Sequence, residues 1–154
     1  MFKGRDIIGL SVVDSTTGKD CGAIDDLILD LEQGKVTALS VKSVGWLTSS
    51  RIVPLELVQK MGSDAVLIDE EAKAEFSDDG CGIKSLKGCS VISSEGKDLG
   101  TVEDLIMEVQ DGRVLGWEIS DGLVQDLVEG RRVLPVGSVI TCGLDRFIVQ
   151  EGGW

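Results

Sequence analysis

Two acidic pairs are the residues of this chain whose types and spacing come closest to a chemical site. Asp25-Asp26 and Glu103-Asp104 each follow an apolar β-branched residue and precede Leu-Ile. Carboxylate oxygens are the ligands that Ca²⁺ and Mg²⁺ prefer, so either pair could hold a hard cation. The sequence has no EF-hand-like run of alternating oxygen ligands, and we therefore interpret the pairs as structural acids on the surface and predict no metal site.

The cysteines do not form a recognisable redox or zinc motif. Cys21, Cys81, Cys89 and Cys142 are scattered without a Cys-x-x-Cys pair, and the chain has no histidine. A zinc site would need all four thiolates or help from carboxylates. No Ser or Cys nucleophile has a histidine partner, which leaves catalysis by carboxylates alone as the rival possibility. We predict a non-enzymatic protein with no cofactor.

The charge of the chain limits its partners. The 154 residues include 15 basic and 27 acidic residues, a formal net charge of -12. Direct nucleic-acid binding is unfavourable, because affinity for phosphates comes from Lys and Arg. A basic protein is a more compatible partner, and homo-oligomerisation is also possible. No apolar run approaches the roughly 20 residues of a transmembrane span, so we expect a cytoplasmic protein.

The elements that carry the acidic pairs occur twice. The stretch from Gly18 to Ile28, GKDCGAIDDLI, returns as GKDLGTVEDLI from Gly96 to Ile106. In both copies a glycine-containing turn separates runs of alternating apolar residues, which is a β-hairpin signal. The alternation slips at the acidic pairs, and one extra residue in a strand is what a β-bulge provides. The chain is therefore predicted to be an all-β duplication.

Corresponding positions of the two copies suggest where the core lies. The first strands are predicted over residues 7–13 and 86–92, and one turn of helix is possible over residues 55–61. Cys21 matches Leu99 and Cys89 matches Leu10, so both thiols are expected to fill apolar space. Trp117 matches Leu39 and is predicted to be a core residue. Cys81, between the copies, is the thiol expected to be most exposed.

The ordered set of motifs resembles the PRC-barrel domain, the family of the photosynthetic reaction centre H subunit and of the C-terminal domain of a ribosome-maturation factor. The motifs are the Gly-Lys-Asp-x-Gly turn, the acidic pair, the Gly-Lys/Arg-Val hairpin and a late Arg-x-Val/Leu-Pro. The resemblance implies two small β-barrels without catalytic residues, in residues 1–72 and 83–154 with a linker at 73–82. Whether a pseudo-twofold axis or a translation relates them stays open.

The function implied by the resemblance is that of a protein-docking or assembly module. The alternative is an RNA-processing or ribosome-associated adaptor that acts through a ribosomal protein; an enzyme and a metal-binding regulator are the remaining alternatives. The surface is predicted in two divergent connections, residues 44–50 and 121–130, where apolar residues replace the expected polar ones. Internal packing of these connections is the competing interpretation. The predicted partner-binding residues are Trp46, Leu47, Leu123, Val124, Leu127 and Val128.

Overall fold

The computed structural model describes residues 1–43, 49–71, 80–120, 132–142 and 145–150. The first repeat contains the strands β1 (Phe2–Lys3), β2 (Ser11–Asp14), β3 (Asp20–Asp30), β4 (Lys35–Lys42), β5 (Ser50–Pro54), β6 (Val58–Met61) and β7 (Ala65–Ile68), with the one-turn helix α1 (Gly4–Ile7). The second contains β8 (Cys81–Gly82), β9 (Ser90–Ser93), β10 (Asp98–Met107), β11 (Val114–Ser120), β12 (Arg132–Pro135), β13 (Val139–Cys142) and β14 (Arg146–Val149), with α2 (Ile83–Leu86).

Each repeat builds one sheet with the same strand order. The first sheet runs β5-β4-β3-β2-β7-β6, and the second runs β12-β11-β10-β9-β14-β13. Neighbouring strands are antiparallel except for the parallel pairs β2–β7 and β9–β14. In the described part of the chain no pair joins the two outer strands of either sheet. The prediction of a nearly all-β duplication is confirmed, whereas closure of each sheet into a barrel stays a prediction.

The sequence signal at the acidic pairs corresponds to a β-bulge in both sheets. The register of β3 on β4 shifts between Ile24 and Asp26, and the register of β10 on β11 shifts between Val102 and Asp104. A bulge bends the strand and re-aims the side chains beside it. Ile24 and Leu27 are therefore both buried although their spacing does not fit a regular period of two. The bulge prediction is confirmed.

The repeats differ from the predicted elements at two places. Residues 4–7 and 83–86 form single helical turns, and the first strands begin later, at Ser11 and Ser90. Ile7 and Leu86 are buried residues of these helical turns. The prediction that they belong to the first strands was therefore wrong. After Pro54 a 3-10 turn (Leu55–Leu57) leads directly into β6, which shortens the predicted helical turn.

The repeats exchange their first strands. β1 pairs with β10 of the second sheet, with Phe2 opposite Met107, while β8 pairs with β3 of the first sheet, with Cys81 opposite Leu29. Cys81 and Gly82, which lie at the end of the predicted linker, are thus part of the first sheet. The domain boundaries themselves stay a prediction, because residues 72–79 lie outside the described residues.

Backbone contacts between the two hairpins are also reciprocal, and they identify the symmetry that relates the repeats. The N–H of Val36 donates to the carbonyl of Gly112 at 2.8 Å, and the N–H of Val114 donates to the carbonyl of Gly34 at 3.0 Å. Between them Lys35 and Arg113 form an antiparallel bridge. A contact in which the same two surfaces meet in both directions is the property of a twofold axis. The repeats are therefore related by a pseudo-twofold axis rather than a translation.

The two sheets share one hydrophobic core. Its buried members come from both repeats and include Ile7, Leu27, Leu39, Leu86, Leu105, Met107, Ile119 and Leu134. Trp117 is buried as predicted, and its ring meets that of Phe147 edge to face, with the ring centroids 4.8 Å apart. Since a repeat of this size buries a smaller fraction of its surface than a larger domain, sharing the core favours a single folded unit.

Candidate functional site

The predicted partner-binding loops leave the sheets at equivalent places. The first connects β4 to β5, and the second connects β11 to β12. Each therefore links the two strands of the antiparallel hairpin at one side of its sheet. The described residues do not include the predicted binding side chains Trp46, Leu47, Leu123, Val124, Leu127 and Val128. Whether these side chains bind a partner or pack internally therefore stays a prediction.

The base of the first loop is closed by serine hydrogen bonds. The N–H of Ser43 donates to the carbonyl of Ser49 at 2.9 Å, and the N–H of Ser49 donates to Ser43 Oγ at 3.1 Å. The two hydroxyl oxygens are 3.0 Å apart. Five residues, 44–48, thus connect Ser43 and Ser49, which these hydrogen bonds hold together at the end of the hairpin. In the second repeat, Ile119 lies opposite Arg132, so the ends of the longer loop also start from paired strands.

A polar pocket of about 300 Å³ lies beside the base of the first loop. Ser43 lines it together with Lys19, Asp20, Cys21, Arg51 and Glu70. Arg51 forms an ion pair with Glu70, and Lys19 Nζ lies 3.9 Å from the same carboxylate. The hydrogen bond from Arg51 holds the pKa of Glu70 below its usual value. The carboxylate is therefore ionised and already engaged by two cations.

Cys21 is not suited to act as a nucleophile in this pocket. Burial, followed by the neighbouring Glu70 carboxylate, raises the pKa of the Cys21 thiol. The thiol lies 3.2 Å from Glu70 Oε1 and donates to it. A cysteine nucleophile reacts as the thiolate, which this environment disfavours. The thiol is buried as predicted, although it makes a polar contact that its match with Leu99 did not indicate.

The aspartates of the acidic pairs link the two repeats, and the prediction that the pairs are surface acids is wrong for Asp104, which is buried. Asp104 Oδ2 accepts the N–H of Arg5 at 3.1 Å, and Asp104 Oδ1 accepts the N–H of Leu105 at 2.8 Å. In the other repeat Asp26 accepts the N–H groups of Lys84 and Leu27. Each bulge therefore presents an aspartate to the one-turn helix that arrives from the opposite repeat. Among the described residues no group of three or more acids and cysteines is arranged to hold a metal ion.

A buried carboxylate that has no equivalent in the first repeat strengthens one of these links. Glu118 is 3% exposed and lies 2.7 Å from Arg5 Nη1 and 3.1 Å from Lys3 Nζ. The hydrogen bond to Glu118 raises the pKa of Arg5. The matching residue of the first repeat is Ser40, so this ion pair breaks the pseudo-symmetry. Sequence reasoning missed it, because its partners are more than a hundred residues apart.

The comparison with known families agrees with the duplication. The family model of the PRC-barrel domain matches residues 1–74 and 78–153. This chain belongs to the PRC-barrel family. A search of the curated proteins finds no match for it. The helices of the described residues include none that is long and apolar enough to span a bilayer.

A solved structure is similar over nearly the full length of this PRC-barrel protein. It is that of a chain described as the 16S ribosomal RNA processing protein RimM, from Pseudomonas aeruginosa. The sequences are 16% identical, the alignment covers 95% of this chain and 96% of the other, and the TM-score is 0.34. A similarity this distant does not assign an activity.

Proposed function

We propose that this protein is a non-enzymatic adaptor that binds a protein partner through its two divergent loops. The observation that carries the proposal is the placement of these loops. Both join an outer hairpin of their sheet, at positions that the pseudo-twofold axis makes equivalent, yet they differ in length and sequence. Loops on a rigid scaffold are where proteins concentrate binding residues. Two such loops could contact one asymmetric partner at two separate places.

The surrounding structure favours binding over catalysis. The carboxylates of Asp26, Asp104 and Glu118 are used in contacts between the repeats, and the Cys21 thiol is held protonated. In the first loop Trp46 offers the residue type most enriched at binding hot spots. The sequence of the second loop contains the apolar residues Leu123, Val124, Leu127 and Val128.

The partner that fits best is a basic protein. A net charge of -12 attracts positively charged surfaces and accelerates their encounter. A ribosome-associated adaptor that acts through a ribosomal protein is the specific form of this proposal, since ribosomal proteins are a strongly basic class. The motifs that this chain shares with the C-terminal domain of a ribosome-maturation factor make the ribosome the first setting in which to test it.

A binding experiment with purified small-subunit ribosomal proteins tests this proposal. We expect one or a few members of the panel to bind at near-physiological salt, whereas an unrelated protein of similar positive charge does not. Trp46→Ala should weaken that binding about tenfold, the effect of losing about 1.4 kcal/mol at a hot spot. Ile52→Ala is the matched control, because Ile52 is exposed on β5 of the same hairpin.

Two results would refute the proposal. One is the absence of selective binding across the panel. The other is a Trp46→Ala variant that melts many degrees lower while its affinity for the partner is unchanged. In that case the first loop would serve internal packing, and the competing interpretation of the sequence would hold.

A further inference from the structure

The second repeat contains the longest uncharged stretch of the chain, residues 133–144. The matching stretch of the first repeat, residues 52–63, contains Glu56 and Lys60, where the second repeat has Gly137 and Thr141. The described strand β12, the 3-10 turn (Val136–Ser138) and β13 therefore form an uncharged strip on a strongly acidic protein. Depletion of charge distinguishes the core of a protein interface from the rest of a surface.

One large apolar side chain projects from this uncharged strip. Ile140 is 61% exposed, and it lies on β13, an outer strand of the second sheet as far as the structure describes it. The register of β13 on β14 shifts between Val139 and Thr141, so Ile140 is the extra residue of a β-bulge. At the matching bulge of β6 the residue is the polar Gln59. The second repeat thus presents an isoleucine where the first presents an amide.

An open apolar cavity of about 180 Å³ lies beside Ile140. Leu29 of β3 and Trp117 of β11 contribute to its walls from the two repeats, and Val136 contributes from the 3-10 turn. An apolar cavity of about 150 Å³ is enough to bind benzene. The side chain of isoleucine has fewer carbons than benzene, so the cavity has room for one such side chain.

A difference between the repeats leaves this cavity open. Val136 matches Leu55, and a methyl group of Leu55 packs so close to Gly112 that a Cβ there would lie 2.6 Å from it. At the matching Gly34, a Cβ would meet no atom of the described residues within 4 Å. The smaller valine of the second repeat therefore leaves space where the leucine of the first repeat fills it.

We propose that two copies of this chain associate around a twofold axis, with Ile140 of each copy entering the cavity of the other. A twofold interface needs a surface that is complementary to itself, and an apolar side chain beside an apolar cavity meets that requirement. Two copies that each carry a net charge of -12 repel one another, and an uncharged strip is where this repulsion opposes contact least. A strip without acidic residues offers a basic partner no local attraction, which favours a second copy as the occupant.

The association should be weak and should respond to salt in a characteristic direction. A contact made by one strand and one turn from each copy is at the small end of specific interfaces, so we expect a dissociation constant in about the micromolar range. Added salt screens the repulsion between the acidic copies and should strengthen the dimer. A complex with a basic partner would weaken under the same conditions.

Sedimentation velocity of the full chain across the micromolar range tests this proposal. We expect the sedimentation coefficient to rise from that of a monomer to that of a dimer as the concentration increases. Ile140→Gln, which installs the residue of the first repeat, changes both contacts of the dimer and should raise the dissociation constant about tenfold or more. Val136→Leu, which enlarges the side chain at the cavity, should also raise it. Leu67→Gln is the control, because Leu67 is an exposed apolar residue of β7 that does not line the cavity.

The remaining outcomes overturn the proposal. A protein that stays monomeric at every concentration does not use this surface for self-association. A dissociation constant that either Ile140→Gln or Val136→Leu leaves unchanged places the contact elsewhere, and a dimer that weakens with added salt contradicts an uncharged interface. A monomer whose Ile140→Gln variant loses affinity for a ribosomal protein assigns the strip to that partner instead. The sedimentation experiment contains this chain alone, so the proposal can fail separately from the proposed function.

Discussion

Asp104 accepts the backbone N–H of Arg5 across the boundary between the repeats, at 3.1 Å. The pseudo-twofold axis produces the matching contact, in which Asp26 accepts the N–H of Lys84 at 3.3 Å. Each aspartate lies at a β-bulge, so the bulge of one repeat places a hydrogen-bond acceptor against the helical turn of the other. The duplicated acidic pairs thus have a structural role that explains why they occur twice.

Removing this contact should destabilise the whole protein. We expect Asp104→Ala to lower the free energy of unfolding by about 1–3 kcal/mol, because it leaves the buried N–H of Leu105 and the partly buried N–H of Arg5 without their acceptor. Urea denaturation measures the change. Glu103→Ala is the control, with an expected change within about 0.5 kcal/mol, typical of a surface substitution. Equal losses in the two variants would show that the contact between the repeats contributes little.

The ion pair between Arg5 and Glu118 should couple the two repeats. Arg5→Ala removes a cation from beside a buried carboxylate, and we expect it to cost about 1–3 kcal/mol. In the double variant with Glu118→Ser, which installs the residue matching Ser40, part of that loss should be recovered. A double-mutant cycle in urea gives the coupling energy. Strictly additive effects of the two substitutions would contradict a direct interaction.

The carboxylate of Glu70 should make stability depend on pH. Its pKa is lowered in the folded protein by the hydrogen bond from Arg51, then by the Cys21 thiol. A depressed folded pKa contributes stability above the ordinary value of about 4.5, and that contribution is lost as the pH falls through the folded pKa. The melting temperature of Glu70→Gln should therefore fall less steeply below pH 4.5 than that of the unmodified protein. Glu71→Gln is the neighbouring control, and indistinguishable slopes would refute the role of Glu70.

Gly22 should tolerate no side chain. Its φ is +115°, and an added Cβ would lie 2.2 Å from the carbonyl oxygen of Lys42 on the paired strand. Gly18 also has a positive φ, of +72°, but a Cβ there would meet no atom of the described residues within 4 Å. We expect Gly18→Ala to cost about 1–2 kcal/mol from backbone strain alone, and Gly22→Ala to cost clearly more. Thermal melting compares them, and a Gly22→Ala variant as stable as Gly18→Ala would contradict the close approach of β3 and β4.

The local pattern of the sequence predicts much of this fold, because hairpins and bulges depend on residues close together in the chain. The slip in alternation between Ile24 and Leu27 was enough to locate the bulge. The exchange of β1 and β8 could not be predicted, since pairing Phe2 with Met107 depends on how two complete repeats meet. The Arg5–Glu118 pair was missed for the same reason. An apolar cavity lined by Leu29, Trp117 and Ile140 was also missed, because a single difference between Gln59 and Ile140 is not distinctive in sequence.

If the two divergent loops bind one protein partner, both loops should be protected when that partner is bound. Hydrogen exchange of the protein with and without a bound ribosomal protein measures this protection, since each loop can be followed in its own peptides. We predict slower exchange on binding in residues 43–49 and in residues 120–132, with little change in α1 and α2. Slower exchange confined to α1 and α2, with both loops unaffected, would contradict the claim.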